Sequence, residues 1–336
     1  MKEMKMWTDT KKVYDLGNGY QLRRADFADF GIHYAIYGNR DEEFQYSFTR
    51  RSQDTCYDEN CFFITKEQQI IGGVVIEPNY SSHFFMESLY EGEKFRVLEA
   101  LDHALIAWSD KSKSICIYTV LDRDLELYSK FGYRKQFVRR TMIRPTAKFE
   151  DWDLGEEFEI KIPELEDASE IGKVLYQSYL GGIQYEEFCK NTVEDEIENT
   201  TIFLNRYLDT KSQEASALVY HKTSKKLIAV CLAGKNKEDA YDFSKINHVA
   251  VLPEYRGKGI ALRLVKRALT ILSELSPATM LDVSVGNPAE AMYYKLGFFP
   301  GEQTYCLYKK QNSDWNKSIR VTGGGMRLER SKYEIE

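Results

Sequence analysis

The stretch that most constrains this chain is Val249–Leu264, which reads V-A-V-L-P-E-Y-R-G-K-G-I-A-L-R-L. Its β-branched start indicates a strand, its two glycines a turn, and the apolar positions that follow are spaced as in a helix. The first N–H groups of a helix have no partner within it, and the helix dipole places partial positive charge there. Because Arg256 and Lys258 add two cations within one turn, the stretch predicts a binding site for a diphosphate.

The spacing of this loop differs from that of a Walker loop and of a dinucleotide-binding loop. It resembles the [RQ]-x-x-[GA]-x-[GA] loop with which the GNAT family of N-acetyltransferases binds the diphosphate of acyl-CoA. The resemblance implies acetyl-CoA as the co-substrate. The cofactor-binding residues that it implies are Val249 and Val251 on the strand, then Arg256, Gly257, Lys258, Gly259, Ile260 and Ala261.

A second segment, from Asn287 to Phe298, reads N-P-A-E-A-M-Y-Y-K-L-G-F. It resembles the family's N-x-x-A-x-x-L-Y-x-K-x-G-F signature, although Asn287 stands one residue closer to the tyrosine than is usual. The resemblance implies that Asn287 contacts pantetheine and that Tyr293 protonates the leaving thiolate of CoA. A tyrosine with a pKa near 10 stays protonated at neutral pH and can serve as this donor. The alternative for Tyr293 is a core aromatic.

The general base is the least defined part of the predicted site. Many family members use a glutamate on the first strand of the site, but here that neighbourhood carries Asn247 and His248. An imidazole has a suitable pKa for a base. His248 is therefore either the base or a structural histidine, and a chain of water molecules is a third possibility. The resemblance also implies that a main-chain N–H near Val249–Val251 polarises the thioester carbonyl.

The two halves of the chain repeat the same pattern. Tyr128-x-Lys130-x-Gly132 recurs as Tyr293-x-Lys295-x-Gly297, 165 residues later, and Gly92 precedes Gly257 by the same distance. An internal duplication is the interpretation. We therefore predict an α/β (α+β) protein with two tandem acyl-CoA N-acyltransferase (GNAT) folds, each a mixed, mostly antiparallel sheet flanked by helices. The predicted parts are a degenerate domain at 1–146, a catalytic domain at 158–311 and a C-terminal tail at 312–336.

The first copy of the loop has a different charge. In register with Arg256-Gly257-Lys258-Gly259 it reads Glu91-Gly92-Glu93-Lys94. Each carboxylate would repel a diphosphate by about 1 kcal/mol or more at a few ångströms. We expect that the first domain does not bind acyl-CoA and instead shapes the substrate cleft.

Composition restricts the partners. A net charge of −6 without a basic block argues against nucleic acid. No run of about 20 apolar residues and no apolar leader are found, so we expect a cytoplasmic protein without a membrane partner. The six cysteines are scattered and are expected to be reduced and buried, and the five histidines suggest no metal site. The oligomeric state is not predicted.

These features predict an N-acetyltransferase that transfers the acetyl group of acetyl-CoA to a primary amine of a small molecule or peptide, by direct attack in a ternary complex. Acids and aromatics between Tyr179 and Glu187 are candidates for holding the cationic amine. The alternative for this segment is a solvated helix start. Two other functions are a non-catalytic acyl-CoA-binding regulatory protein and a transferase of the same fold that uses a different acyl donor.

Overall fold

A computed structural model of the protein describes residues 6–38, 60–183, 192–207, 210–235 and 243–311. The described residues form two compact units. Unit 1 contains those up to Arg139 together with those from Glu302 onward, and unit 2 contains Arg140–Gly301. The predicted tail at 312–336 lies outside the described residues.

The last seven strands and α-helices described in each half follow the same order, namely three strands, a helix, a strand, a helix and a strand. The strands are β1 Val13–Gly17, β2 Tyr20–Arg24, β3 Cys61–Lys66, β4 Gln69–Glu77, β5 Tyr80–Met86, β6 Ile115–Leu121, β7 Arg134–Pro145, β8 Phe158–Lys161, β9 Ala217–His221, β10 Lys226–Gly234, β11 Ser244–Val251, β12 Ala278–Ser284 and β13 Phe299–Lys309. The α-helices are α1 Phe27–His33, α2 Lys94–Trp108, α3 Leu125–Lys130, α4 Ala168–Tyr179, α5 Val193–Tyr207, α6 Ile260–Leu272 and α7 Ala289–Lys295.

The sheet of unit 1 has the strand order β1-β2-β3-β4-β5-β6-β13. Its neighbours pair antiparallel except β5 and β6, which are parallel. Helix α2 covers one face, and its side chains at Leu98, Leu101, Leu105 and Trp108 are all buried there. These four positions are three or four residues apart, which places them on one face of the helix.

Unit 2 has the order β8-β9-β10-β11-β12-β7. The pairs from β8 to β11 are antiparallel, and β11 pairs with β12 in parallel. Four members of the predicted apolar stripe of α6 are buried, Leu264, Val265, Ala268 and Leu272, whereas Ala261 is half-buried. The predicted mixed, mostly antiparallel α/β architecture is confirmed.

The last strand of each half is assigned differently from what chain order suggests. Strand β7 ends the first half, yet its residues from Arg140 onward belong to unit 2, and β13 ends the second half, yet its residues from Glu302 onward belong to unit 1. Tyr305 and Leu307 of β13 are buried in the core of unit 1, and Met142 of β7 is buried in that of unit 2. The domain limits predicted above follow the order of the chain. In the structure, each unit instead includes residues of the last strand of the other half.

No α-helix among the described residues combines the length and the apolarity required to cross a bilayer.

Candidate functional site

The parallel pair β11–β12 opens along its length. The strands pair from Ser244 opposite Thr279 to Ile246 opposite Leu281, but β11 continues to Val251 and β12 to Ser284. The opening begins where the pairing of β11 with β10 shifts register, between Ile246 and His248. A bulge of this kind bends its strand away from a neighbour. The half-buried Val249 and Val251 therefore lie on a stretch of β11 that β12 does not pair.

The glycine turn lies at the end of the same strand. A single 3-10 turn, Pro253–Tyr255, leads into it, and Gly257 and Gly259 have φ angles of 79° and 77°. These values are in the left-handed region, which favours glycine. Gly259 is the N-cap of α6 and supplies no side-chain cap, and a Cβ at either glycine would meet nothing within 4 Å. The start of α6 is thus exposed and able to present main-chain N–H groups to an anion.

The two cations of the loop have different surroundings. Arg256 donates through Nε to the main-chain oxygen of Val251 at 3.1 Å and through Nη2 to that of Ser178 at 2.5 Å. The Nζ of Lys258 lies 3.8 Å from a carboxylate oxygen of Glu157 and 5.4 Å from the ring centre of Tyr255. Arg256 therefore joins the loop to the ends of β11 and α4, a role that its position in the motif did not reveal.

The two adjacent tyrosines of α7 face different surroundings. Tyr293 is 8% exposed, and its ring packs edge-on against Phe298 with ring centres 5.7 Å apart. Burial raises the pKa of Tyr293 above its ordinary value, so the phenol remains protonated. Tyr294 is 46% exposed, and its hydroxyl accepts a hydrogen bond from Arg140. Adjacent positions of a helix lie about 100° apart around its axis, which accounts for the different surroundings of Tyr293 and Tyr294.

Asn287 lies at the start of α7. Its Oδ1 accepts a hydrogen bond from the N–H of Ala289 at 2.9 Å, and its own N–H donates to Ser284. The side-chain carbonyl of Asn287 therefore stabilises the turn from β12 into the helix that carries Tyr293. Next to it, the N–H of Gly286 donates to Glu290 at 2.8 Å.

His248 is half-buried on the open stretch of β11. Its Nδ1 lies 3.2 Å from the hydroxyl of Tyr179, the last residue of α4, and the two ring centres are 6.2 Å apart. Sequence reasoning named Tyr179 only as one of several residues that could hold an amine. Tyr185, Glu186 and Glu187 of that same segment lie outside the described residues.

Unit 1 carries a histidine at the matching position. His83 precedes His248 by 165 residues, the same offset as the tyrosine and glycine matches, so the sequence contained a signal that was missed. His83 is 3% exposed, and burial lowers its pKa to about 3. Its Nδ1 lies 2.7 Å from the Ser82 hydroxyl, and its main-chain N–H donates to Thr119 Oγ1 at 2.7 Å.

In unit 1, the charged side chains of the matching loop form ion pairs within the loop and with a neighbouring lysine. Glu91 lies 2.8 Å from Lys94 Nζ, and Glu93 lies 3.1 Å from Lys66 Nζ and accepts a hydrogen bond from the Tyr20 hydroxyl. The hydrogen bond from Tyr20 is the main cause that lowers the pKa of Glu93. Burial is the main cause that raises the pKa of Tyr20, to about 12. In unit 1, two carboxylates of the loop itself thus lie beside the start of α2, whereas the matching loop positions in unit 2 are Arg256 and Lys258.

Within the described part of the chain, no cluster of three or more His, Cys, Asp or Glu side chains could hold a metal ion. Four cysteines there, Cys61, Cys116, Cys231 and Cys306, are buried thiols, as expected. Cys56 and Cys189 lie outside the described residues.

Comparisons with known proteins bear on the family and on the fold. The family model of the acetyltransferase (GNAT) family matches residues 183–298. The chain is similar to a GCN5-related N-acetyltransferase structure from Sphaerobacter thermophilus, with a TM-score of 0.64 and 14% identity over 92% of this chain and 100% of that one. It is also similar to a structure with a GCN5-related glucosamine N-acetyltransferase region in a fungal multi-domain β-N-acetylglucosaminidase, with a TM-score of 0.57 and 13% identity over 86% of this chain and 38% of that one.

These two likenesses bear on the fold, and they agree with the predicted GNAT fold. A curated relative bears on the family. The "N-alpha-acetyltransferase MAK3" of Arabidopsis thaliana is 31% identical over 150 residues, which cover 43% of this chain and 77% of the relative. With a match of this identity over more than three quarters of that protein, the chain belongs to the GNAT acetyltransferase family and is an acyltransferase.

Proposed function

We propose that unit 2 transfers the acetyl group of acetyl-CoA to a primary amine of a small molecule or peptide, by direct attack in a ternary complex. The observation that carries this proposal is the course of β11. The strand separates from β12 after Ile246 and ends at a glycine turn that opens onto the start of α6. An extended pantetheine arm and a diphosphate fit consecutive parts of this path.

The proposed cofactor contacts follow from that path. Main-chain N–H groups of Gly257–Ala261 bind the diphosphate, since both glycines allow close approach and the helix dipole favours an anion. Ile260 is 2% exposed and anchors the helix start in the core. Val249 and Val251 offer main-chain groups to pantetheine, and Asn287 lies at the end of the neighbouring strand.

In the proposed reaction one side chain accepts a proton and a second side chain donates one. As the amine nitrogen attacks the thioester carbon, a main-chain N–H of β11 stabilises the negative charge on the carbonyl oxygen. His248 accepts the proton that the attacking nitrogen loses. When the carbon–sulfur bond breaks, Tyr293 protonates the thiolate, and burial keeps Tyr293 in the protonated form that this step needs.

Unit 1 is proposed not to bind acyl-CoA. Glu91 and Glu93 stand beside the start of α2, where they would repel a diphosphate. The N–H of His83, at the position that matches His248, already donates to Thr119.

The acceptor is proposed to be a primary amine, and the α-amine of a peptide is the first candidate. The Arabidopsis relative is named as an N-alpha-acetyltransferase, and the match with this chain covers 77% of that relative. No described contact selects one amine, so small-molecule amines belong in the same test.

The test measures release of free CoA from acetyl-CoA with a panel of peptides and small amines, together with acetyl-CoA binding by calorimetry. Amine-dependent release at a steady rate supports the proposal. Binding without release for any amine would indicate a regulatory protein, and release only from a longer acyl-CoA would indicate a different donor. Failure to bind any CoA species would refute the assignment of unit 2.

A further inference from the structure

We propose that Tyr179 is a positioning residue that holds the imidazole of His248 in the orientation needed for proton abstraction. The inference rests on the proposed function, because it requires His248 to act as the base. The direct observation is the 3.2 Å distance between the Tyr179 hydroxyl and His248 Nδ1. The two residues are 69 positions apart and come from different elements, α4 and β11.

The proposal takes the tautomer in which Nδ1 carries the hydrogen and donates it to the hydroxyl oxygen of Tyr179. Neutral imidazole has one N–H and one lone pair. When the Nδ1–H donates to the oxygen of Tyr179, the lone pair remains at Nε2 and can take the proton of the attacking amine. The proton moves from the amine nitrogen to Nε2, and Tyr179 retains its own proton throughout.

The position of Tyr179 is itself fixed by hydrogen bonds around the end of α4. The N–H of Leu180 donates to Tyr176 at 3.0 Å, and the N–H of Gly182 donates to the Tyr179 carbonyl at 2.9 Å. Arg256 donates to the carbonyl of Ser178, one residue before Tyr179, and to Val251 on the strand of His248. One guanidinium therefore holds both elements that carry the pair.

Ser178 and Asn247, which immediately precede Tyr179 and His248, have buried polar side-chain atoms. Ser178 is 7% exposed, and neither its Oγ nor the Nδ2 of Asn247 has a hydrogen-bond partner among the described residues. A buried hydrogen-bonding group without a partner costs about 1–3 kcal/mol. Polar atoms of a bound substrate could satisfy these groups, and this supports a ligand site beside Tyr179 and His248.

The matched position in unit 1 shows a different arrangement. The ring of Tyr34 meets the ring of His83 edge-on at 4.9 Å, and the Nδ1 of His83 lies beside the Ser82 hydroxyl. His83 is also buried, whereas His248 is half-buried. A hydroxyl that orients a histidine reachable by substrate is thus a feature of unit 2.

The test is a double-mutant cycle with Tyr179→Phe, His248→Gln and the double variant, in the CoA-release assay. We expect Tyr179→Phe to lower kcat about tenfold, with an unchanged Kd for acetyl-CoA, because it disturbs only the alignment of the base. In the His248→Gln background the same change should cause no further loss. Tyr176→Phe, in the same helix, is the matched control and should leave kcat within about twofold.

A second cycle with the same proteins measures the equilibrium constant of unfolding in urea. A side-chain hydrogen bond between the two residues predicts a coupling of about fivefold. Equal fold losses of kcat in both backgrounds of an active enzyme would overturn the positioning role alone. Coupling in unfolding without any CoA release by the wild type would instead show that the contact exists but that the proposed function is wrong.

Discussion

The guanidinium of Arg256 joins the carbonyl oxygens of Ser178 and Val251, which lie 2.5 Å from its Nη2 and 3.1 Å from its Nε. The residue that the motif assigns to phosphate binding therefore also connects the end of α4 to the end of β11. A change at this position should affect the cofactor site and the helix that carries Tyr179 together.

Arg256→Glu is expected to weaken acetyl-CoA binding by more than about 100-fold, because it places a negative charge beside the diphosphate and removes both carbonyl contacts. Calorimetry with acetyl-CoA measures the effect. Glu91→Ala, in the matching loop of unit 1, is the control and should leave the Kd unchanged. If both variants lose affinity equally, the cofactor does not bind in unit 2 alone.

Gly259→Ala tests whether the open glycine turn binds the diphosphate. A Cβ there meets no neighbour, but alanine at a φ of 77° costs roughly 1–2 kcal/mol of stability. Gly132→Ala in unit 1 is a matched control, since Gly132 is also exposed, has a φ of 85° and has equally open surroundings. Thermal unfolding should show similar losses for both variants, while calorimetry should show weaker acetyl-CoA binding only for Gly259→Ala.

Tyr293→Phe should lower kcat by about 100-fold with little change in the affinity for acetyl-CoA, because it removes the proton donor and keeps the ring. Steady-state CoA release gives kcat. Tyr294→Phe is the neighbouring control, and its exposed hydroxyl contacts Arg140, so kcat should stay nearly constant. An unchanged kcat for Tyr293→Phe would leave this tyrosine with a packing role only.

His83 should make unit 1 sensitive to acid. Its pKa is about 3 in the folded protein and near 6.5 when unfolded, so protons bind preferentially to the unfolded chain between these values. Stability that is fully present above pH 6.5 is lost as the pH falls, by about 2 kcal/mol at pH 5.

The variant His83→Asn removes this titration and keeps a residue type that tolerates the φ of 50°. Urea unfolding at pH 7 and pH 5, followed by the fluorescence of Trp7 and Trp108, should show a smaller loss on acidification than in the wild type. The exposed His103, changed to Gln, should show the wild-type loss. An equal loss in all three proteins would mean that His83 is not held neutral.

Strand β13 should stabilise unit 1. Leu307 is 2% exposed in the core of that unit, so Leu307→Ala should cost about 2–5 kcal/mol of unfolding free energy. Phe299→Ala, at the 71% exposed start of the same strand, should cost less than about 0.5 kcal/mol. Urea unfolding is followed by tryptophan fluorescence in proteins that carry phenylalanine at Trp152 and Trp315, so that Trp7 and Trp108 report on unit 1. Similar small losses for both variants would argue against a contribution of β13 to the core of unit 1.

The elements predicted best are those with a strong local pattern. The strands Cys61–Lys66 and Gln69–Glu77 and the helix Lys94–Trp108 are of this kind. The two strands are continuous runs of apolar and small residues, and the helix has apolar residues at helical spacing. Both are local properties, so the sequence is sufficient to identify these elements. The left-handed turn at Gly257 and Gly259 was identified for the same reason.

The sequence by itself determined the elements, the glycine turn and the repeat with its offset of 165 residues, because each depends on neighbouring residues or on matching segments. Only the tertiary structure decided that β7 and β13 contribute to the other unit, that Arg256 joins α4 to β11, and that Tyr179 meets His248. These relationships join residues far apart in the chain. The packing of the sheets and helices determines such contacts, and no local pattern encodes which distant partner a strand edge or a side chain will meet.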